Sequence, residues 1–355
     1  MSASERLVAA GEELPVISEP AAMFHDLASK VPKLENFLKK MSHRPLRVAT
    51  MCSGTESPLL ALDKIADATE KLFGSRLNVE HVFSCEIEPF KQAYIERNFS
   101  PPILFRDIRE LKEKQAYTAY GALVDVPGNV DILVAGTSCV DYSNLNNEQK
   151  GLNEQGESGQ TFRGMKAWIM RCKPPVVILE NVCGAPWQQI VDDFASFGYT
   201  ADFLRLDTKR YYIPHTRTRV YLLAVLGDDD EGVLAQWKEV VKQLERPSSS
   251  TLEAFLFDTD DPRVNKGRQD LALPGEKNTR AETDWGRCQS RHIRARVEEK
   301  LGQQRPFTHW DGGCQLPDYA WNDWGKAQPD RVLDLMDIDY LRLARDGVDA
   351  MHKTL

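Results

Sequence analysis

The run DILVAGTSCVDYSNLN, Asp131 to Asn146, carries four apolar residues into a glycine and then presents Cys139. A thiol in that place is either a nucleophile held at a strand end or a small apolar residue packed inside it, since unpaired cysteines are among the most buried residue types. The later run VVILENV carries Glu180 at its end. A carboxyl group kept protonated near a thiolate is suited to donating a proton to a heterocycle nitrogen while sulfur adds elsewhere on the ring. Without such a partner the same glutamate is a solvated or helix-capping residue. Further on, IPHTRTR sets Arg217 and Arg219 at alternate positions of a strand edge, hence on one face. Two arginines so arranged bind phosphate or a base edge, or else protect an exposed edge from aggregation.

Three earlier stretches offer polar groups of a different kind. CSGTESP, Cys52 to Pro58, follows an apolar run; Gly54 permits a tight turn, and the N–H groups of the next helix start can face a ligand. SCEIEPF carries Glu86 at a strand end, the usual way for such a fold to grip the two hydroxyls of a ribose. In FRDI, Asp107 either accepts from an adenine amino group or caps the next helix. Together they suggest an adenosine-containing ligand. The turn lacks a full G-x-G-x-x-G, which disfavours a nicotinamide cofactor.

Bringing these residues together requires one sheet. From Leu46, short β-rich runs alternate with amphipathic stretches: LRVATMC then SPLLALDKIADATEKLF, VEHVFSCEI then PFKQAYIERNF, DILVAG then GMKAWIMRC, VVILENV then WQQIVDDFASFG. The alternation predicts an α/β fold, a doubly wound and mostly parallel sheet with helices on both faces. Such sheets bind ligands at the carboxyl ends of their strands, where the residues above fall. YTADFLRLDTKRYYIP and RVYLLAVL follow without a helix between them and predict a hairpin that closes the sheet. Composition shifts near Leu244, with LERPSSSTLEAFLFDTDDPR as the boundary, and the rest is Arg- and Trp-rich with weak periodicity. The expected division is 1–45, a tail with short helices; 46–244, the main α/β domain; and 245–355, an irregular region.

A chain of 355 residues has room for one large core and a smaller appendage. The net charge of −8 gives no global nucleic-acid signature, so a polyanion would have to be held by a local basic face. Seven scattered cysteines without a C-x-x-C pair argue against a disulfide framework or structural zinc and for a reducing compartment. No apolar run approaches a membrane span, and the polar start MSASERLVAAGEELPV is no signal peptide, so no membrane partner is expected.

From about Leu46 to Leu226 the chain resembles the cytosine carbon-5 DNA methyltransferases, with motifs in that family's order. TMCSGTESPLLAL resembles the first, cofactor-binding motif, commonly D-L-F-A-G-x-G-G. CEIEPFKQAY is similar to the second, RDI to the third, and GTSCVDYSNLN to the nucleophile motif G-F-P-C-Q-x-F-S, with Gly136, Cys139 and Ser143 in register. ESGQTF resembles a worn R-G-x-L-F, ENV at Glu180 to Val182 is an intact match, and IPHTRTR is similar to V-P-Q-x-R-x-R. The resemblance implies a Rossmann-like S-adenosylmethionine-dependent methyltransferase fold with target recognition in the C-terminal region. It assigns S-adenosylmethionine to Cys52, Gly54, Thr55, Glu86, Ile87, Asp107, Ile108 and Gly136, and catalysis to Cys139, Glu180, Arg217 and Arg219. Its substrate would be double-stranded DNA, with the cytosine flipped out of the stack. Cys139 would add to carbon-6, Glu180 would support protonation at N3, and carbon-5 would take the methyl group. The loop from Val140 to about Ser158 would close over the flipped base.

Departures are specific. Ser138 stands where the family usually has proline, Val140 and His215 replace glutamines, and Glu56 replaces a glycine of the first motif, adding bulk and charge beside the cofactor. The spellings CSGTESP and GTSCVDYSNLN resemble a divergent fungal-type branch, the one fused to a Snf2-type ATPase. That branch implies a nuclear, chromatin-associated enzyme. Beyond Leu226 no Gly-Asn of the family's closing motif occurs, so a chain truncated before that motif is expected. Residues 264–330 would hold target recognition, with RAETDWGRCQSRHIRAR and Trp285, Trp310, Trp321 and Trp324 either contacting DNA or forming a small core with a solvated face. Two alternatives remain: methylation of RNA cytosine, and a catalytically inactive methyltransferase-like module that binds DNA or partners.

Overall fold

LRVATM is buried at every position except Arg47 and forms β1 (Leu46–Met51), a central strand covered on both faces. The computed structural model describes residues 14–143, 149–229, 232–250, 252–258, 260–272, 285, 289–308 and 328–348, in two units, Met1–Ser249 and Ser250–Leu355.

In the first unit the strands are β1, β2 (Val79–Cys85), β3 (Leu104–Phe105), β4 (Gln115–Tyr117), β5 (Leu123–Asp125), β6 (Ile132–Ala135), β7 (Val176–Asn181), β8 (Tyr199–Asp207) and β9 (Thr218–Leu226). Seven of them form one sheet in the order β3-β2-β1-β6-β7-β9-β8. Neighbours from β3 to β7 pair parallel, whereas β9 pairs antiparallel with both β7 and β8. The expected mostly parallel, doubly wound sheet is therefore present. The hairpin is present too, but its second strand inserts between β7 and β8. The short antiparallel ribbon β4–β5 has too few residues to show a period in the sequence.

Among the described residues seven α-helices accompany these strands: α1 (Pro20–Lys30), α2 (Leu34–Met41), α3 (Ser57–Phe73), α4 (Pro89–Phe99), α5 (Glu157–Cys172), α6 (Trp187–Ser196) and α7 (Val233–Gln243). Proline in the first turn of α3 and of α4 needs no amide partner there, and α3 stops at Gly74, whose left-handed φ of 67° turns the chain. α5 buries Phe162, Met165, Trp168 and Ile169 along one face. Trp168 packs edge-on against Phe83, which packs likewise against Phe105. Gly164 lets α5 cross the 3₁₀ turn Ile108–Lys112, because a Cβ there would lie 2.8 Å from the Ile108 carbonyl oxygen. The N-terminal helices belong to this unit: Tyr212 Oη donates to Asp26 of α1, and Arg246 Nη2 donates to the Pro15 carbonyl at 2.6 Å.

The described part of the second unit holds α8 (Pro262–Ala272), a π-helical segment Gln289–Glu298, and α9 (Asp330–Arg345). Buried polar clamps hold it. Asp334 of α9 receives His292 Nδ1 at 2.7 Å and Arg296 Nε at 3.0 Å, and Asp337 receives the amides of Phe307 and Thr308 at 2.9 Å each. Arg294 pairs with Glu298, and Arg342 with Glu299, so these arginines carry acidic partners of their own. Trp285 is partly exposed and stands edge-on to His292, whereas Trp310, Trp321 and Trp324 lie outside the described residues.

Candidate active site

The strand register sets the site. Met51 pairs with Cys85 and with Ala135, and Ala135 pairs with Leu179. Cys52, Glu86, Gly136 and Glu180 are each the next residue, so four neighbouring strands deliver them to one row at the carboxyl edge. Across that row, a Cβ on Gly136 would lie 3.1 Å from the Cys52 carbonyl oxygen and 3.8 Å from Glu180 Oε2. Only glycine leaves that space open.

On the β1–β2 side the turn Cys52–Glu56 alternates left-handed residues, with φ of 54° at Cys52, 65° at Gly54 and 55° at Glu56. Glu86, 4% exposed, accepts the Gly54 amide on Oε2 at 3.1 Å and the amides of Ile87 and Glu88 on Oε1 at 2.9 and 3.2 Å. A carboxylate offers about four acceptor positions, so these bonds orient Glu86 and leave one on Oε2. A Cβ on Gly54 would meet nothing within 4 Å, and Ile87 beside the carboxylate is 51% exposed. An oriented acceptor, an open glycine turn and an exposed apolar side chain fit the ribose and base of an adenosine group. The Cys52 thiol is pushed up to about 12 by burial and by the nearby Glu86 and Asp107, which makes it a neutral wall of this pocket.

Other residues expected around the cofactor sit differently. Asp107 caps the 3₁₀ turn: Oδ1 accepts the Arg109 amide at 2.9 Å, and the Arg109 guanidinium grips both oxygens. Burial pushes the Asp107 carboxyl up, but the Arg109 side chain and amide together hold it below the usual carboxylate range. An adenine amino group would have to share this acid with Arg109. Ile108 is 4% exposed and packs in the core beneath the turn. Thr55 is exposed, with its hydroxyl 3.2 Å from that of Ser57. Glu56 does not project beside the cofactor as its bulk suggested; its carboxylate turns inward and is fully buried.

On the β6–β7 side, Cys139 is half-buried in the turn after β6, and its carbonyl accepts the amides of Tyr142 and Ser143. The strand end carrying Glu180 is tied to this turn by the next residue: Asn181 Nδ2 donates to the Thr137 carbonyl at 2.8 Å and lies 3.4 Å from that of Ser138. Arg219 Nε stands 3.3 Å from Glu180 Oε1, both partly exposed. Burial pushes the Glu180 carboxyl up, against the opposing charges of Arg219 and Arg217, so it keeps its proton above the usual carboxylate range. Arg217 is exposed, and its amide donates to Asp207 at 3.2 Å.

The turn is also clasped from α5. The Asp141 amide donates to Ser158 Oγ at 3.0 Å, and the Ser158 amide donates back to Asp141 Oδ2 at 2.7 Å. Gly156 allows it, since a Cβ there would fall 2.3 Å from Asp141 Oδ2. The two ends of the expected closing loop are thus fixed to each other, while residues 144–148 lie outside the described residues. Residue type and spacing do not single out Asn181, Asp141 or Ser158 as functional. Asn181 has a signal, its place in the intact ENV; the clasp joins residues far apart in the chain and has none.

Among known proteins, the family model described as C-5 cytosine-specific DNA methylase matches residues 47–310. A protein named DNA (cytosine-5-)-methyltransferase DMT5, from Cryptococcus neoformans var. grubii, is 56% identical over 96% of this chain. One of the same name from Verticillium dahliae is 32% identical over 84% of it. The chain spans 15% of the length of each of these two relatives. The type II methyltransferase M.MspI of Moraxella is 30% identical over 42% of this chain and 34% of its own length.

Proposed function

The chain belongs to the family of C-5 cytosine-specific DNA methylases, and from that membership we propose that it methylates carbon-5 of cytosine in DNA through a covalent Cys139 adduct. The observation that carries this reading is the bond between strand end and turn. Asn181 ties the strand end of Glu180 to the turn of Cys139, and burial raises the Glu180 carboxyl above its ordinary range. Neither group alone would distinguish a catalytic site from a packed core.

The Cys139 thiolate adds to carbon-6 of the flipped cytosine as Glu180 gives its proton to ring N3. This leaves an enamine in which carbon-5 is nucleophilic. S-adenosylmethionine, when bound, supplies the methyl group as an electrophile, and Glu86, Gly54 and Gly136 are the residues that would hold it, with Cys52, Thr55, Ile87 and Asp107 around them. Water then takes the carbon-5 proton, and the electrons of that bond re-form the ring double bond. The carbon–sulfur bond breaks with its electrons returning to Cys139, and N3 returns its proton to Glu180. Arg219 balances Glu180 and, with Arg217, faces the base. Flipping is required because the ring carbons are out of reach inside a duplex.

The same reading includes double-stranded DNA as substrate, the nucleus as compartment and an ATPase or chromatin module within a longer protein. The variant spellings CSGTESP and GTSCVDYSNLN support the last point. Among the described residues no helix is long and apolar enough to cross a membrane.

The test is covalent trapping on a duplex carrying 5-fluorocytosine, whose fluorine cannot leave as the carbon-5 proton does. Incubated with S-adenosylmethionine, the 355-residue chain should form a denaturation-resistant adduct seen by mass, and Cys139→Ser should form none. An adduct that survives the substitution overturns the nucleophile assignment. No adduct with DNA, but one with an RNA carrying the same base, overturns the substrate.

A further inference from the structure

Glu56 is the first position before α3, yet its side chain makes no cap hydrogen bond to that helix. The carboxylate instead points down between the strands. Thr50 Oγ1 of β1 donates to Glu56 Oε1 at 2.8 Å, and Ser84 Oγ of β2 donates to the same oxygen at 2.6 Å. Thr50, Glu56 and Ser84 are all fully buried. Ser84 spends its hydrogen on Glu56, so its lone pair is free to accept from His81 Nε2, 3.0 Å away. Burial holds His81 below the usual histidine range, against the pull of Glu56. Glu56 Oε2 is buried with no hydrogen-bond partner among the described residues.

A buried carboxylate with one oxygen unsatisfied, on a non-glycine residue at a φ of 55°, is expensive on two counts. A glycine would avoid both costs. We infer that Glu56 is a positioning residue, anchoring the turn Cys52–Glu56 from below through Thr50 and Ser84 while Glu86 grips it from the side through the Gly54 amide. Two carboxylates on opposite sides of five residues hold the alternating left-handed backbone in one shape. That shape presents Gly54 to the ligand and keeps Glu86 oriented. The inference rests on the reading of this turn as the S-adenosylmethionine site, but the anchoring itself is independent of any ligand.

Two variants of the full chain separate anchoring from backbone strain. Glu56→Gly relieves the left-handed φ and removes the carboxylate, whereas Glu56→Gln keeps an amide oxygen able to accept both hydroxyls. Two readouts apply: hydrogen exchange of the amides in 52–57, against those of β6 as internal reference, and calorimetric affinity for S-adenosylmethionine. In Glu56→Gly, exchange in the turn should speed by about tenfold, with β6 unchanged, and affinity should fall by about tenfold. Glu56→Gln should recover most of both. Wild-type exchange in Glu56→Gly, or a Glu56→Gln variant no better than Glu56→Gly, overturns the inference. Should the wild-type chain bind no S-adenosylmethionine, the reading of the site fails, and the exchange of the turn still decides for or against Glu56.

Discussion

Beside the turn after β1, Glu86 accepts three backbone amides, and Asp107 is gripped by the amide and guanidinium of Arg109. Beside the turn of Cys139, Glu180 has one close cation, Arg219 Nε at 3.3 Å. The same functional group is thus given opposite work by its surroundings. Donors that saturate a carboxylate stabilise its charge and fix it as an acceptor. Burial with few donors stabilises the neutral form instead and leaves a proton to give. Asp107 is accordingly held below the usual range and Glu180 above it, on one sheet's carboxyl edge. Pairs of acids pushed apart in this way can divide roles, and on the proposed reading Glu180 is the one that transfers a proton.

The contrast breaks most sharply at Glu180. Glu180→Gln should lower the single-turnover rate by about 10²–10⁴-fold, the usual worth of a general acid, while affinity for S-adenosylmethionine stays near wild type. In the wild type the limb on which the rate is lost as pH rises should follow Glu180 and lie above the ordinary carboxylate range, while the opposite limb reports loss of the thiolate that the addition needs. Arg219→Met removes the nearest charge opposing burial and should move the fall to still higher pH. A limb that stays in place would show that Glu180 does not carry it.

Gly156→Ala tests whether the clasp between Asp141 and Ser158 holds the nucleophile. The new Cβ meets the Asp141 carboxylate at 2.3 Å, so the clasp must open. Loss of about 1–3 kcal/mol in urea unfolding is expected, with the trapping rate of Cys139 falling by about tenfold. A destabilised variant that traps at the wild-type rate would show that the clasp serves folding alone.

The smallest effect is expected at Asp107. Arg109→Met should return its carboxyl toward the ordinary range, read by carbon-13 titration, without moving Glu180. A group whose folded pKa is depressed adds stability above its unfolded pKa and loses it as pH falls through the folded value. The variant should therefore be slightly less stable than the wild type above the unfolded carboxylate pKa, with the difference closing as pH falls through the wild-type folded value. A matching shift at Glu180 would mean that the two halves of the site are coupled.

The sheet is legible in one dimension because its strands write both of their features into the chain. LRVATMC, DILVAG and VVILENV are short apolar runs, each followed by an amphipathic stretch. Cys139, Glu86 and Glu180 stand out because each follows or ends such a run, and the strand register puts Glu86 and Glu180 in one row with Cys52 and Gly136. What the sequence does not determine is where a side chain points once its backbone is set. By its bulk and charge Glu56 belongs beside the cofactor, yet the fold turns it into the sheet, because two hydroxyls on adjacent strands wait beneath a left-handed residue. Asp107 is open between ligand acceptor and cap, and Arg109 decides in favour of the cap. That β9 rather than β8 pairs with β7 is likewise a contact across the fold that neither strand's own pattern specifies. Periodicity and residue type are local and can be read along the chain. Hydrogen-bond partners are chosen by proximity across the fold, and only the tertiary structure creates that proximity.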